Sequence, residues 1–390
     1  MQPSRYYLYY ICLQQTTNML LMKKQISHLL IACLLVVLIG SCRPQDYTIE
    51  YFPYRTEKSA FWGMMSPKGT PLFEGRFMNP PSISTRGVFL VQEEDGYYAF
   101  YTTTEKTQRI NEYNYVMAKP FLLSNYTPVL KQGDNSFTII DIKGNTVATL
   151  PDNVADIGFF ANGLAPFVTD SIAPRMGYVD THGQVAIPAR YSLATNFVCG
   201  VALVEEIIKG IPSVSVIDPK GNTIYTFGNE WQPLATEYSD GLLPIINIRQ
   251  EIAFLDTHGQ VAIPPQEHLH MCMPNNPATI PYTFKAGHCI YSDGMYYGII
   301  DKRGKIVVPA QYLNLYLGEG GLFAAEDRHH NWGCINSQGK VIIPFEHFPG
   351  VIKPSITPHC IVMQNEAQRY RLINDKGKVI SKPFTNYQAQ

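Results

Sequence analysis

The chain is poor in charge, and the little it has is nearly balanced. Asp, Glu, Lys and Arg make up 16% of the 390 residues, with a formal net charge of −1. The first 42 residues carry only cations (Arg5, Lys23, Lys24), so the remainder holds 28 positive against 32 negative side chains. A mildly acidic body argues against nucleic acid as a partner, because a polyphosphate demands a concentrated basic face. The five cysteines after Cys42 are an odd number with no Cys-x-x-Cys spacing, which suggests neither a disulfide framework nor a zinc ribbon. There is no Gly-x-Ser-x-Gly elbow, no His-Glu-x-x-His and no phosphate-binding glycine loop. The glycines of Gly318-Glu319-Gly320-Gly321 fall in a turn before an apolar strand. No cofactor is expected, and the chain is expected not to be an enzyme.

What the sequence has in quantity is tyrosine and proline, 25 and 28 residues, within 12% aromatic content. That is the composition of a β-rich, turn-rich globular protein. The amino terminus is different. Lys23 and Lys24 follow Met22, an apolar run extends from Leu29 to Ile39, and Gly40, Ser41 and Cys42 close it. These are the basic, apolar and small-residue regions of an export signal. Eleven uninterrupted apolar residues are too few to span a bilayer, which takes roughly 20. Leu38-Ile39-Gly40-Ser41-Cys42 resembles the bacterial lipobox, which implies acylation of Cys42. Residues 1–41 are therefore read as an upstream extension plus lipoprotein signal, with Met22 the better start. The mature chain is expected in the cell envelope, tethered to a bacterial membrane (outer membrane or cell surface) without spanning it.

Residues 42–390 are internally repetitive. Aligned on a turn glycine, copies fall at Gly69, Gly144, Gly183, Gly221, Gly259, Gly304, Gly339 and Gly377, with a degenerate copy at Glu105. Successive spacings are 36, 39, 39, 38, 38, 45, 35 and 38. Seven residues before each anchor stands a bulky, mostly apolar residue (Trp62, Tyr98, Phe137, Met176, Val214, Ile252, Tyr297, Trp332, Tyr370). The next position is small in eight of nine copies, as at Gly63, Gly177, Gly298 and Gly333, which predicts close approach of a neighbouring strand. Three before the anchor come Ser66, Thr102, Asp141, Asp180, Asp218, Asp256, Asp301, Asn336 and Asn374. Those side chains open a type I turn by accepting backbone N–H groups, and the glycine then takes φ > 0. A second apolar strand precedes each hairpin, as in Gly163-Leu164-Ala165-Pro166-Phe167-Val168. Each unit reads as a meander of about three antiparallel strands in roughly 38 residues. Nine such units nearly fill the 349 residues from Cys42 onward and leave no room for a separate catalytic domain.

With the literal Trp62-Gly63 and Trp332-Gly333 pairs, these columns resemble the bacterial WG-containing repeat over essentially the whole mature chain. Repeats two, three, five and six depart from it, since the Trp-Gly pair is replaced there. The resemblance implies an all-β array and an envelope association, but no established activity. The fold expected is an all-β tandem array, favoured as an open superhelical stack and propeller-like if closed.

Few residues suggest chemistry beyond packing. The loop after Gly259 is longer than its counterparts and holds His268, His270 and Cys272. Extended backbone would put all three on one face, a donor set suited to zinc or copper, with His288 the nearby fourth candidate; the competing reading is a polar loop. Trp231 is the only tryptophan outside the repeat column, and it either binds a protein or glycan partner at the surface or plugs a repeat interface. Cys199, Cys289 and Cys360 sit at near-equivalent repeat positions and read as packing residues. Asp170-Ser171-Ile172 resembles an O-glycosylation acceptor. The favoured function is a non-enzymatic envelope lipoprotein whose repeat surface binds a protein or glycan. The alternatives are a carbohydrate-active enzyme gathering acids from several repeats, and a structural spacer.

Overall fold

The computed structural model describes residues 47–104, 106–269, 282–345, 350–365 and 367–389. Residues 1–46, with Cys42, and Glu105, His270 and Cys272 lie outside that set. Asp301 accepts the N–H groups of Arg303 and Lys305 through Oδ1 at 2.8 and 3.0 Å, and the N–H of Gly304 reaches the Asp301 carbonyl at 2.9 Å. Gly304 then takes φ +77°. The same side-chain pair of bonds recurs at Asp141, Asp180, Asp218, Asp256, Asn336 and Asn374. Asp301→Ala should cost about 1–2 kcal/mol in urea unfolding, since it removes two bonds of about 1 kcal/mol each. Partial burial pushes the Asp141 carboxyl up, but bonds from Asn145 and the Lys143 N–H hold it below the ordinary value on balance. Asp218 behaves alike. The Asp141 and Asp218 turns therefore contribute stability above the ordinary carboxylate range, and lose it as pH falls through the depressed values.

Past each turn the strand bulges, and the small column explains why. A Cβ on Gly298 would sit 2.5 Å from the Val308 carbonyl and 2.8 Å from the Ala310 nitrogen. On Gly177 it would meet the Ile187 carbonyl at 2.5 Å, and on Gly333 the Ile343 carbonyl at 2.8 Å. The returning strand crosses directly over the glycine, and the pairing register shifts there, between Tyr297 and Ile299 in repeat seven.

The strands form eight antiparallel sheets arranged as the blades of a β-propeller. A representative sheet contains, in order, Val154–Ile157, Leu164–Thr169, Met176–Asp180 and Val185–Tyr191. The second and third strands carry the repeat columns, and the fourth follows the Asp-x-x-Gly turn. The first strand is the element that periodicity missed. In repeat five it is only Leu193–Ala194, too short to show alternation. Repeats two and three share one six-stranded sheet. Tyr115–Ala118 pairs through Tyr115 with Tyr98 of repeat two and through Met117 and Ala118 with repeat three. The nine repeats thus occupy eight sheets.

Sheets pack face to face, and every junction has its own core. In Ile252–Asp256, Ala253 and Leu255 join a cluster with Leu203 and Val216 of repeat five, while Ile252 and Phe254 join one with Phe284 and Tyr291 of repeat seven. Burial on both faces is why these strands read as continuous apolar runs rather than alternating ones. The favoured open stack is corrected by the last junction. Ile49, Phe52, Tyr54 and Met65 of repeat one share a cluster with Ile356, Cys360, Val362, Leu372 and Phe384 of the end of the chain. Asn386–Tyr387 pairs with Tyr54 and Arg55, supplying the strand that the first sheet otherwise lacks. The ring is closed. Stacking units of this twist bring the ninth beside the first, and an apolar face left bare at each end is covered by its counterpart.

Candidate functional site

The strand ends define two rims of different chemistry. One carries the Asp-x-x-Gly turns and the turns between first and second strands. The other carries the hairpins between second and third strands. On the turn rim, polar groups are engaged with neighbouring repeats. The Gly287 N–H donates to the Asp240 carboxylate at 2.6 Å, Lys302 Nζ reaches the Asp240 carbonyl at 2.6 Å, and the Gly87 N–H donates to Glu50 at 2.7 Å. Phe52, opposite Met65, begins at this rim, so the chain enters the ring here.

The hairpin rim is apolar where three consecutive repeats meet solvent. Ile172 of repeat four is 107% exposed, Ile208 and Ile211 of repeat five 51% and 69%, and Ile248 of repeat six 83%. Arg175, Lys209 and Arg249 flank them in the same tips. Neighbouring tips can touch, since the Arg328 guanidinium of repeat eight lies 4.6 Å from the Tyr296 ring of repeat seven. Isolated exposed aliphatics are ordinary; these stand at the hairpin tips of three successive repeats.

The same rim holds a cleft of about 380 Å³ between repeats one and two, lined by Arg76, Phe77, Met78, Gln92, Glu93, Glu94 and Asp95. The Arg76 guanidinium already covers the rings of Phe77 and Tyr101, at 5.1 and 5.2 Å. Burial, then the hydrogen bond to Glu93, pushes the Tyr101 phenol up to about 12, so it stays neutral and donates. The lining offers aromatic faces and carboxylates.

Beside several first strands, ionisable groups are half-buried. Lys119 Nζ stands 3.6 Å from Asp156 and 5.7 Å from the Phe159 ring centroid. Burial lowers its pKa, and Asp156 opposes the shift. Between repeats five and six, burial raises the Glu237 carboxyl to about 7, opposed by a bond from Asn196. A carboxyl raised on folding favours the native state below its unfolded pKa, and that contribution disappears as pH rises through about 7. Glu237→Gln should therefore raise Tm at pH 8 and leave it nearly unchanged at pH 5, as read by thermal melts. An unchanged wild-type melting profile between those pH values would dismiss the effect.

The residues singled out by sequence fall in several places. Trp231 begins the first strand of repeat six, half-buried against the core that contains Val216 and Tyr238. His268 is half-buried, with Nε2 2.8 Å from the Gly304 carbonyl and its ring edge-on to Tyr291. His270 and Cys272 lie outside the described residues, and no cluster of three metal-ligating side chains occurs among those described. His288 turns Nδ1 to the Ala286 carbonyl at 2.9 Å. Cys289 and Cys360 are buried, and burial pushes both thiols up. Cys199 is not a packing residue. It is exposed at φ +55°, in the turn position that Asn162 and Asp240 occupy elsewhere. Ser171 stands at the tip of the repeat-four hairpin. The aliphatic rim escaped the sequence reading, although Ile207-Ile208-Lys209-Gly210-Ile211 carries a signal: apolar residues flanking a glycine turn with no alternation.

The WG containing repeat family matches at residues 176–206, 297–323 and 332–346, which fall in repeats four and five, seven and eight, and eight. No curated protein matches the chain. Among solved structures, the computationally designed Ika8 protein is 10% identical, with 77% of this chain and 94% of that one covered and a TM-score of 0.39. BamB from Moraxella catarrhalis is 14% identical over 68% and 84%, with a TM-score of 0.37. AztD from Citrobacter koseri is 9% identical over 86% and 96%, with a TM-score of 0.38.

Proposed function

We propose that this chain, which carries WG-type repeats and closes into a β-propeller, is a non-enzymatic, lipid-anchored envelope scaffold that binds a protein partner through its hairpin rim. One observation carries this reading: the row Ile172, Ile208, Ile211 and Ile248, exposed on adjacent repeats. Exposed aliphatics cost solubility and contribute nothing to the ring, so a partner surface is the economical account of them. A protein fits better than a glycan, because Trp231, the aromatic suited to stacking on a sugar, is half-buried between repeats.

An acylated Cys42 would tether the chain to a membrane surface without spanning it. Cys42→Ala should abolish palmitate labelling and move the protein out of the membrane fraction; label that persists would reject the anchor.

In-cell cross-linking of the wild type, with soluble 43–390 as competitor, tests the scaffold. A specific cross-linked protein is expected, lost in the Ile172→Asp, Ile248→Asp double variant and displaced by the competitor. No displaceable partner would leave a spacer. Turnover by the soluble ring, abolished by one polar substitution, would make it an enzyme instead.

A further inference from the structure

The hairpin of repeat five differs from the other tips. Its strands, Ala202–Ile208 and Ile211–Ile217, are seven residues each and meet in a two-residue turn, Lys209-Gly210, with both residues at positive φ (+52° and +84°). Such a turn makes Ile208 and Ile211 a hydrogen-bonded pair. Alternation then sends the backbone groups of Leu203, Glu205 and Ile207 outward from the second strand, and those of Pro212, Val214 and Val216 outward from the third. The bonds follow this parity. Thr195 and Ser192 donate to the carbonyls of Leu203 and Glu205 at 3.0 and 2.7 Å, and Phe227 donates to Val214 at 2.9 Å.

The neighbouring strands stop short of the tip. Leu193 pairs with Glu205, and nothing continues that line to Ile207 among the described residues. On the far edge the corresponding residue is Pro212, which has no N–H to offer. One edge is therefore open and the other closed. Beside the open edge the side chains are aliphatic, with Ile207, Ile208 and Ile211 exposed. They also include Glu206, whose ion pair among the described residues is with Arg190 at 4.0 Å.

We infer that the second-strand edge at Glu206–Ile208 takes up an extended segment of a partner protein as an added antiparallel strand, apolar opposite Ile207 and basic opposite Glu206. This rests on the scaffold reading above and specifies how its partner is held. A lipid surface suits the isoleucines but not the backbone, because hydrocarbon would leave the Ile207 N–H and carbonyl without partners. A strand supplies both, and its cations complement the loosely held carboxylate. Pro212 keeps the addition one-sided, so the hairpin does not seed open-ended sheet growth.

The probe is an acetylated octapeptide of alternating valine and lysine, titrated into soluble 43–390 and followed by fluorescence anisotropy and amide hydrogen exchange. Saturable binding is expected, with slowed exchange at Ile207. Ile207→Pro, which leaves the outward position without a donor, should weaken binding at least tenfold while the melting curve stays in place. The same peptide N-methylated on alternate residues should fail to bind the unaltered protein, which separates edge pairing from any damage by proline. Equal binding of the methylated peptide, or none by the parent peptide up to millimolar concentration, would overturn the inference. Two outcomes would reassign the edge: anionic vesicles bound equally by wild type and Ile207→Pro would point to lipid, and self-association lost in Ile207→Pro would point to a second copy of this chain. If the edge fails but the Ile172→Asp, Ile248→Asp variant still loses its cross-linked partner, the scaffold reading stands and only this mode of binding falls.

Discussion

Deleting residues 384–390 is expected to open the ring and remove most of its stability. The segment is short, but each part of it bridges the two ends of the chain. Phe384 is 1% exposed and packs edge-on to Tyr54 of repeat one and flat on Tyr370 of repeat nine. Its backbone exchanges bonds with Tyr370 at 2.8 and 3.0 Å, Thr385 donates to Arg55 at 2.7 Å, and Gln388 donates to Pro53 at 3.1 Å. Burying one large apolar side chain is worth about 1.5–3 kcal/mol. Removing Phe384, Tyr387 and Ala389 while baring the strand edge at Phe52–Arg55 should cost about 5 kcal/mol or more. That is a large share of the ordinary 5–15 kcal/mol of a folded domain. Small-angle scattering should show an increased radius of gyration, and denaturant melts an early transition. Phe384→Ala alone should cost about 3–5 kcal/mol, whereas breaking the exposed Arg369–Glu57 pair should be nearly silent. A deletion variant that melts with the wild type would mean that closure does not hold the ring.

The second large effect is at the small column. Gly298→Val should destabilise by about 3 kcal/mol or more, because its branched side chain must enter space held by the Val308 carbonyl, the Ala310 nitrogen and the Tyr291 ring, all within 2.8 Å of the Cβ position. Gly241 is the control. It sits at φ +77° with nothing within 4 Å of its Cβ position, so Gly241→Ala should cost only the left-handed backbone penalty of about 1–2 kcal/mol. Equilibrium unfolding of the two variants separates a steric need for glycine from a conformational one. Equal losses would mean that the crossing strand yields.

The contrast shows what was legible in the sequence. The Asp-x-x-Gly turn is read from four residues because its bonds are local, and every aligned turn glycine from Gly69 to Gly377 takes positive φ. The small column was legible as a demand for space, though not the identity of the strand that fills it. First strands such as Leu193–Ala194 were not legible, since two residues have no period. Closure depends on Asn386–Tyr387 meeting Tyr54 and Arg55, a contact across more than 300 positions with no local signature. The candidate surface was hidden for a different reason. Ile172, Ile208, Ile211 and Ile248 look like core residues in a chain whose strands are buried on both faces. Only the topology puts them at hairpin tips.

The sheet that completes the ring draws one strand from the far end of the polypeptide, and this sets the order in which the molecule can mature. Because the chain is made amino terminus first, repeats two to eight can stack as they emerge, each on the one before. Repeat one must wait with an unpaired edge and a bare face until residues 384–389 have been made. The opening repeat is thus the last to be finished.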